Sequence, residues 1–412
     1  MPGPGLDLIG EEEVKEVLDV LRSGFLTRYG PDDDSFPAKV RTFEEEVVGM
    51  TGIPHALALN SGTSALWCIL ATLGIGPGDE VIVPGFTYVA SISAIVYARA
   101  TPVLAEIDAT LNLDPADVEA RITPRTRAIL VVHMLGNPAR IAELKAVADR
   151  HGIHLIEDCA QAFGASYRGR AVGSTGVAGA YSFNIFKTIT CGDGGMIVTS
   201  DEALYEKCFA MHDQGHLPYR KGAEIGNRSL LGLNFRMTEL SGAVLLAQLR
   251  KMGWIIERLR ENKRLLKSML SEVPGVSFRV LPDPEGDLAT HLVVILPTEE
   301  VARQIAADLD SRVLADSGWH IYSQMEHLLS CRTASGKGCP FDCSCTSPQP
   351  PRYRAGMLPQ TDAIVARSMS IGIGVADPNL GSTFGVTVLD GADAIARVAE
   401  RFAVAAGARL GA

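Results

Sequence analysis

The chain has 412 residues, enough for two or three ordinary cores. Hydrophobic residues make up 47% and charged residues 21%, so a large interior can be buried and no long stretch has a disordered composition. The formal charge of −10 argues against nucleic acid as a partner, because phosphates would be repelled.

The first segment, Met1 to Leu21, carries the acidic run Glu11, Glu12, Glu13 and has neither a basic start nor an apolar centre, so no signal peptide is expected. No uninterrupted apolar stretch of about 18 residues predicts a transmembrane helix. The expected location is the cytoplasm, with no membrane partner. From about residue 55 to 200, β-branched runs alternate with helical patterns. Strands are predicted at His55–Leu59, Glu80–Pro84, Pro102–Ile107, Ala128–His133, His154–Glu157, Ala180–Phe183 and Met196–Thr199. Ile129-Leu130-Val131-Val132 is apolar throughout, as in a strand covered by helices on both faces. Helices are predicted over Thr63–Leu73, with Leu66, Ile69, Leu70 and Leu73 on one face, and over Ile141–Arg150, closed by Gly152. This alternation predicts a large α/β domain with a mostly parallel sheet, residues 1–250.

After Met237 the pattern changes. A long helix is predicted over Thr238–Leu270, then strands at Val276–Val280 and His291–Leu296 and a helix at Glu299–Leu309. These suggest a smaller α+β domain, residues 251–412. The stretch Ser330 to Pro359 is rich in Gly, Pro, Ser and Cys and predicts a long loop, a feature that is often functional. Among the eight cysteines, Cys68, Cys159, Cys191 and Cys208 read as small buried hydrophobes. Cys331, Cys339, Cys343 and Cys345 cluster, but their irregular spacing lacks a C-x-x-C pair, so no metal is expected.

The chemistry is carried by four segments at predicted strand ends. In Tyr181-Ser182-Phe183-Asn184-Ile185-Phe186-Lys187, followed by Gly192-Asp193-Gly194-Gly195, a strand presents one lysine before a Gly-rich turn. Lysine amines attack carbonyls to form Schiff bases, and pyridoxal 5'-phosphate (PLP) is bound to its enzymes in this way. A surface lysine in a loop is the ordinary alternative, and the upstream segments weigh against it. In Ile156-Glu157-Asp158-Cys159-Ala160-Gln161-Ala162, Asp158 ends an apolar strand, at the sheet edge where ligands sit. A buried carboxylate is costly unless paired, and a protonated pyridine nitrogen is a suitable partner; a helix N-cap is the alternative. In Asn60-Ser61-Gly62-Thr63-Ser64-Ala65-Leu66 a helix begins after a strand, so free N–H groups and the helix dipole face one spot suited to phosphate. Gly62 permits close approach, and Ser182 adds a hydroxyl. Pro84-Gly85-Phe86-Thr87-Tyr88 supplies an aromatic that either stacks on a flat cofactor or packs in the core.

These segments, with Gly78-Asp79-Glu80-Val81, resemble in order and spacing the DegT/DnrJ/StrS-type sugar aminotransferases, PLP enzymes of fold type I. The resemblance is close from about Glu11 to Leu249 and looser beyond. It implies that Lys187 binds the cofactor and shuttles the proton, that Asp158 pairs with the pyridine nitrogen, and that Tyr88 stacks on the ring. It further implies that Gln161 lies near the phenolic oxygen and that Gly62, Thr63 and Ser182 hold the phosphate. Gly232-Leu233-Asn234-Phe235-Arg236 resembles the segment that enters the partner subunit's site, with Asn234 on its phosphate, so a homodimer is implied. The implied reaction moves an amino group from glutamate or glutamine to a keto-sugar or keto-cyclitol, in antibiotic or specialised sugar biosynthesis. Dehydratases of the family have histidine at the lysine position, so Lys187 favours transamination over dehydration or a non-catalytic regulatory role. Asp193 stands where glutamate is more usual.

On the substrate side, Phe25-Leu26-Thr27-Arg28-Tyr29-Gly30 matches the family's N-terminal arm, placing Arg28 and Tyr29 at the pocket. Arg28 suits a donor carboxylate, with a solvated surface arginine as the alternative. Trp319-His320-Ile321-Tyr322 resembles the sugar-pocket stretch, with His320 and Tyr322 as candidate contacts. The Cys331–Cys345 loop is expected to lie over the active site and shape acceptor choice.

Overall fold

In the computed structural model, which describes residues 2–218, 230–342 and 351–410, the seven predicted strands of the first half join one sheet. They are β1 His55–Leu59, β2 Glu80–Pro84, β3 Thr101–Ala105, β4 Thr126–Val132, β5 His154–Asp158, β6 Ala178–Ser182 and β7 Gly195–Thr199. Their order is β1-β7-β6-β5-β4-β2-β3. The five strands from β6 to β3 are parallel, while β7 is antiparallel to both β6 and β1. Two reversals restore direction, so β1 again points the way of β6. The carboxyl ends of β1, β2, β5 and β6 therefore open on one edge, where α/β sheets bind ligands. β2, β6 and β7 are buried along their whole length, which explains their near-continuous apolar runs.

Helices Gly62–Thr72, Val89–Tyr97 and Ile141–His151 follow β1, β2 and β4. Gly152 ends the last of these at φ 62°, as the helical pattern predicts.

A second sheet holds β8 Ser277–Phe278, β9 His291–Ile295, β10 Ser368–Ile373 and β11 Gly385–Val386 in that order. Helices Met252–Leu270, Glu299–Asp308 and Ala392–Leu410 bury Leu259, Ile305 and Phe402 in its core. That core is continuous with Val40, Phe43 and Phe183 beside the first sheet. Each such side chain contributes roughly 1.5–3 kcal/mol.

Two elements differ from the sequence reading. The predicted helix Thr238–Leu270 is two helices, Glu239–Leu249 and Met252–Leu270. At the break, the Lys251 amide donates to Gln248 O at 3.0 Å, three residues back rather than four, and its ammonium reaches Leu8 O and Glu13. The predicted strand Val276–Val280 shrinks to two residues, because the Val280 amide leaves the sheet to donate to Ala109 O.

Cys68, Cys159 and Cys208 are buried free thiols, and Cys191 is partly buried. Cys331 is free, whereas Cys339 is disulfide-bonded, which takes its sulfur out of any zinc set. Cys343 and Cys345 lie outside the described residues. Among the described residues, no helix is long and apolar enough to cross a membrane.

Candidate active site

Asp158 is the last residue of β5 and is 4% exposed. Its Oδ2 accepts from the Ser91 hydroxyl at 2.7 Å and its Oδ1 from the Ala160 amide at 3.0 Å. Among the described residues no cation lies within ion-pair distance of it. Burial pushes its pKa up, opposed by these hydrogen bonds and by the nearby Lys187. The carboxylate is thus oriented and waiting for a positive partner.

Lys187 is displayed by a closed loop after β6. Phe183 exchanges hydrogen bonds with Gly194 and Cys191, while the Asn184 side chain and carbonyl take the amides of Phe186 and Lys187. Burial lowers the Lys187 pKa, and Asp158 and Asp377 oppose that shift. The effect is to raise the fraction of neutral amine, the form that is a nucleophile and a base.

Ser61 caps helix Gly62–Thr72 by accepting from the Ser64 amide at 3.1 Å. A Cβ on Gly62 would lie 2.8 Å from Ser182 Cβ, and one on Gly195 2.2 Å from the Ser61 carbonyl, so only glycine lets this turn seat against β6 and β7. The result is a cavity of about 190 Å³ lined by Gly62, Thr63 and Ser182 together with Asp158 and Lys187. A second cavity of about 190 Å³ adjoins it, sharing Tyr88, Ala160, Gln161, Asn184 and Lys187. Its far wall holds Thr290, His291, Trp319, His320 and Asp377. His291 Nε2 and His320 Nδ1 are buried without a partner. His320 stacks obliquely on Tyr88, ring centres 5.1 Å apart, and its Nε2 is 4.0 Å from Asp377. Burial pushes the His320 pKa down to about 4 and that of His291 well below the usual imidazole range, so both rings are neutral at pH 7.

Residues 7–330 match the sequence profile of the DegT/DnrJ/EryC1/StrS aminotransferase family. The chain belongs to this family. It is 36% identical over 304 residues to the spore coat polysaccharide biosynthesis protein SpsC of Bacillus subtilis, covering 72% of this chain and 76% of that one. It is 39% identical over 306 residues to the L-glutamine:2-deoxy-scyllo-inosose aminotransferase of Streptoalloteichus tenebrarius, covering 70% and 72%. The crystal structure of 3-amino-5-hydroxybenzoic acid synthase superposes with a TM-score of 0.78 at 29% identity, covering 97% of each chain. The protein is a PLP-dependent aminotransferase of fold type I.

The residues of the aminotransferase fit PLP on three observations. Asp158 is buried without a paired cation among the described residues, Lys187 lines the same cavity, and Gly62 and Ser182 line it where the absence of a Cβ on Gly62 lets the turn seat against β6.

Not every expected residue arrives at the site. Arg28 is neither solvated nor free for a donor carboxylate: its guanidinium pairs with Glu44 at 3.0 Å, reaches Ala58 O and His212, and its side chain is 7% exposed. A buried arginine is held by such a pair because an unpaired charge would be costly to bury. The Tyr29 hydroxyl is tied to Asp213, and Tyr29 lines neither cavity. Tyr322 is fully buried in the core, donating to Asp362 at 2.9 Å and accepting from the Leu358 amide, and it lines neither cavity. Asn234 pairs with Asp213 in a short bridge and also lines neither cavity of its own chain.

Sequence reasoning missed Ser91, His291 and Asp377. Ser91 sits one turn after the Tyr88 cap, a spacing that could have flagged it. His291 and Asp377 lie far along the chain, without a local motif.

Of the acid–thiol–imidazole groups elsewhere, His133, Glu157 and Cys159 come together behind β5. The Ala139 amide donates to His133 Nδ1, so Nε2 carries the proton that goes to Glu157. Three further amides, of Gly173, Thr175 and Gly176, satisfy the Glu157 oxygens, which makes this a structural network rather than a ligand set.

Proposed function

We propose that this aminotransferase moves an amino group from glutamate or glutamine to the ketone of a sugar or cyclitol. The observation that carries the reading is the shared wall of the two cavities. Lys187 borders both, with a phosphate cradle on one side and a polar cleft on the other. The printed activity of the inosose aminotransferase relative supports a cyclitol or sugar acceptor.

PLP, when bound, supplies an electron sink next to the substrate carbon. Asp158 holds a positive charge at the base of the cavity. Gly62, Thr63 and Ser182 hold the phosphate end, and Tyr88 covers the ring. The Lys187 amine takes a proton from the donor's α-carbon and delivers it elsewhere in the same cavity, worth ~10²–10⁴ in rate for a positioned acid–base group. His291 and His320, both neutral, offer hydrogen bonds to acceptor hydroxyls. Donor and acceptor use the same Lys187 in turn, which is ping-pong kinetics. Protein loaded with PLP should convert glutamate or glutamine to the matching keto acid stoichiometrically without an acceptor. Protein loaded with pyridoxamine phosphate, screened against keto-sugars and keto-cyclitols, should then identify the acceptor. No keto acid from either donor would sink the reading.

The proposal extends to a cytoplasmic homodimer whose chains divide near residue 250 into a larger and a smaller domain, with the N-terminal arm beside the site. The helix break at Arg250–Lys251 and the placement of the whole second sheet beyond it support that division. Asn234 lines neither cavity of its own chain, which supports a role in the partner's. Mixing inactive Asn234→Asp and Lys187→Ala proteins should restore activity, up to half of wild type per mixed dimer, because one site then carries neither defect. No recovery after demonstrated subunit exchange would mean that Asn234 serves its own chain.

A further inference from the structure

Gln161 follows β5 by three residues and borders both cavities, whereas Gly62, Thr63 and Ser182 border only one. It therefore faces the ring of a bound cofactor rather than its phosphate. An amide side chain placed there can present either oxygen or nitrogen, and the two have opposite effects on an anionic oxygen. The protein decides which. The Leu135 amide lies 2.9 Å from the Gln161 side chain. An N–H requires an acceptor, so the Gln161 oxygen is fixed against the backbone and its NH2 is left for the cavity.

The Leu135 amide points this way because the turn after β4 is folded into an unusual shape. Leu135 has φ 55° and ψ 37°, left-handed values that a leucine seldom adopts, and Gly136 follows at φ 74°. Such a conformation persists only where its surroundings enforce it. The enforcing group comes from beyond the first sheet. Arg279, one residue past β8 and 4% exposed, donates to Met134 O at 3.0 Å and to Leu135 O at 2.7 Å. Asn112 Oδ1 accepts from the Met134 amide at 2.8 Å, and the Leu288 amide donates to Gly136 O.

We propose that Arg279 is a positioning residue: it holds the left-handed Leu135 turn, and that turn locks Gln161 as a hydrogen-bond donor to the anionic ring oxygen of the cofactor. The inference rests on PLP binding at this site. Other titratable groups face the same place. Lys187, Asp158 and Asp193 border the phosphate-side cavity; His291, His320 and Asp377 border the other, with Tyr88 between. Behind the turn, Arg279 stands 3.8 Å from Asp287, which pairs with Lys263 at 2.5 Å.

The test is the pH titration of the visible absorption band of the PLP-loaded protein. Gln161→Glu puts an anion where the donor was, and the midpoint should rise by about one unit or more, the scale of a like charge at contact. Arg279→Lys and Gly136→Ala should raise it in the same direction by less. Gly136→Ala is the decisive control, since it removes no charge. Its Cβ would meet Thr290 Oγ1 at 2.8 Å and Leu288 Cβ at 3.1 Å at a positive φ, so it strains the turn without changing a charge. Either turn variant combined with Gln161→Glu should shift less than the sum of the two. An unmoved midpoint in Gln161→Glu would overturn the donor role. A moved one there, with none in folded Gly136→Ala or Arg279→Lys, would overturn the positioning role. If wild type develops no visible band with PLP, the cofactor reading itself fails.

Discussion

On one side of the site, Gly62, Asp158 and Ser182 stand at the carboxyl ends of three strands of one sheet, each followed within a few residues by the turn that orients it. At the far side, Thr290, His291, His320 and Asp377 come from segments scattered over nearly 90 residues that meet only through tertiary packing. The electrostatics differ too. Asp158 and Lys187 are charged groups shifted by burial toward neutrality and held by each other's field, while His291 and His320 are fully neutral rings with a nitrogen unpartnered. The first arrangement suits a fixed, charged cofactor. The second suits an exchangeable ligand that brings its own hydrogen-bonding groups, because an unpartnered buried nitrogen gains most from a partner that arrives.

This contrast can be broken by substitution. The largest effect is expected at Lys187. Lys187→Ala should lose at least ~10²–10⁴ in the rate of keto acid formation from the donor, with an unchanged melting temperature. Near-normal turnover would remove the lysine from the mechanism. Asp158→Asn keeps the shape and the hydrogen bond from Ser91 but loses the charge. A fall on the order of 10²-fold in the donor half-reaction, with PLP still bound, is expected for the loss of one preorganised electrostatic contact. Wild-type rates in a PLP-saturated assay would contradict the role of Asp158.

At the far side the effect should be smaller and confined to one substrate. His320→Phe is expected to raise KM for the acceptor roughly two- to tenfold, the worth of one or two neutral hydrogen bonds, and to leave the donor half-reaction alone. Equal damage to both half-reactions would erase the distinction between the two sides.

The smallest effect lies in acid stability. Burial lowers the His320 pKa in the folded chain to about 4, and that of His212 to about 3, from 6.5. As pH falls from 6.5 towards 4, the unfolded chain takes up these protons and the folded chain does not. Stability is therefore lost on acidification, at about 1.4 kcal/mol per pH unit for each such histidine. Urea unfolding across this window should show that slope reduced by one proton in His320→Phe; an unchanged slope would mean that the ring is protonated when folded.

The same contrast explains what was legible in the sequence. β1 and β2 were placed to the residue, and the helix after β4 to its capping glycine, because apolar period and cap chemistry are local. That Lys187, Asp158 and Gly62 converge was legible for the same reason: each sits in a strand–turn motif, and the structure brings the three to one cavity. Arg28 was not. Its sequence neighbours mark a pocket arm, but Glu44 and His212, which hold it, are 16 and 184 residues away. Tyr322 shares a motif with His320, yet the short 3-10 turn at Gly318–His320 sends one ring to the cavity and the other into the core. The break at Arg250–Lys251 was not legible: Gly253 stands just beyond it, inside the second helix, and the tether of Lys251 to Glu13 is a tertiary fact.

The central claim, that Lys187 is the residue that binds the cofactor, can be read directly. The protein is loaded with PLP, reduced with borohydride, digested and analysed by mass spectrometry. The phosphopyridoxyl group should appear on the peptide containing Phe186 and Lys187, stoichiometrically and on that lysine alone. A label on another lysine, or none after saturation with PLP, would contradict it.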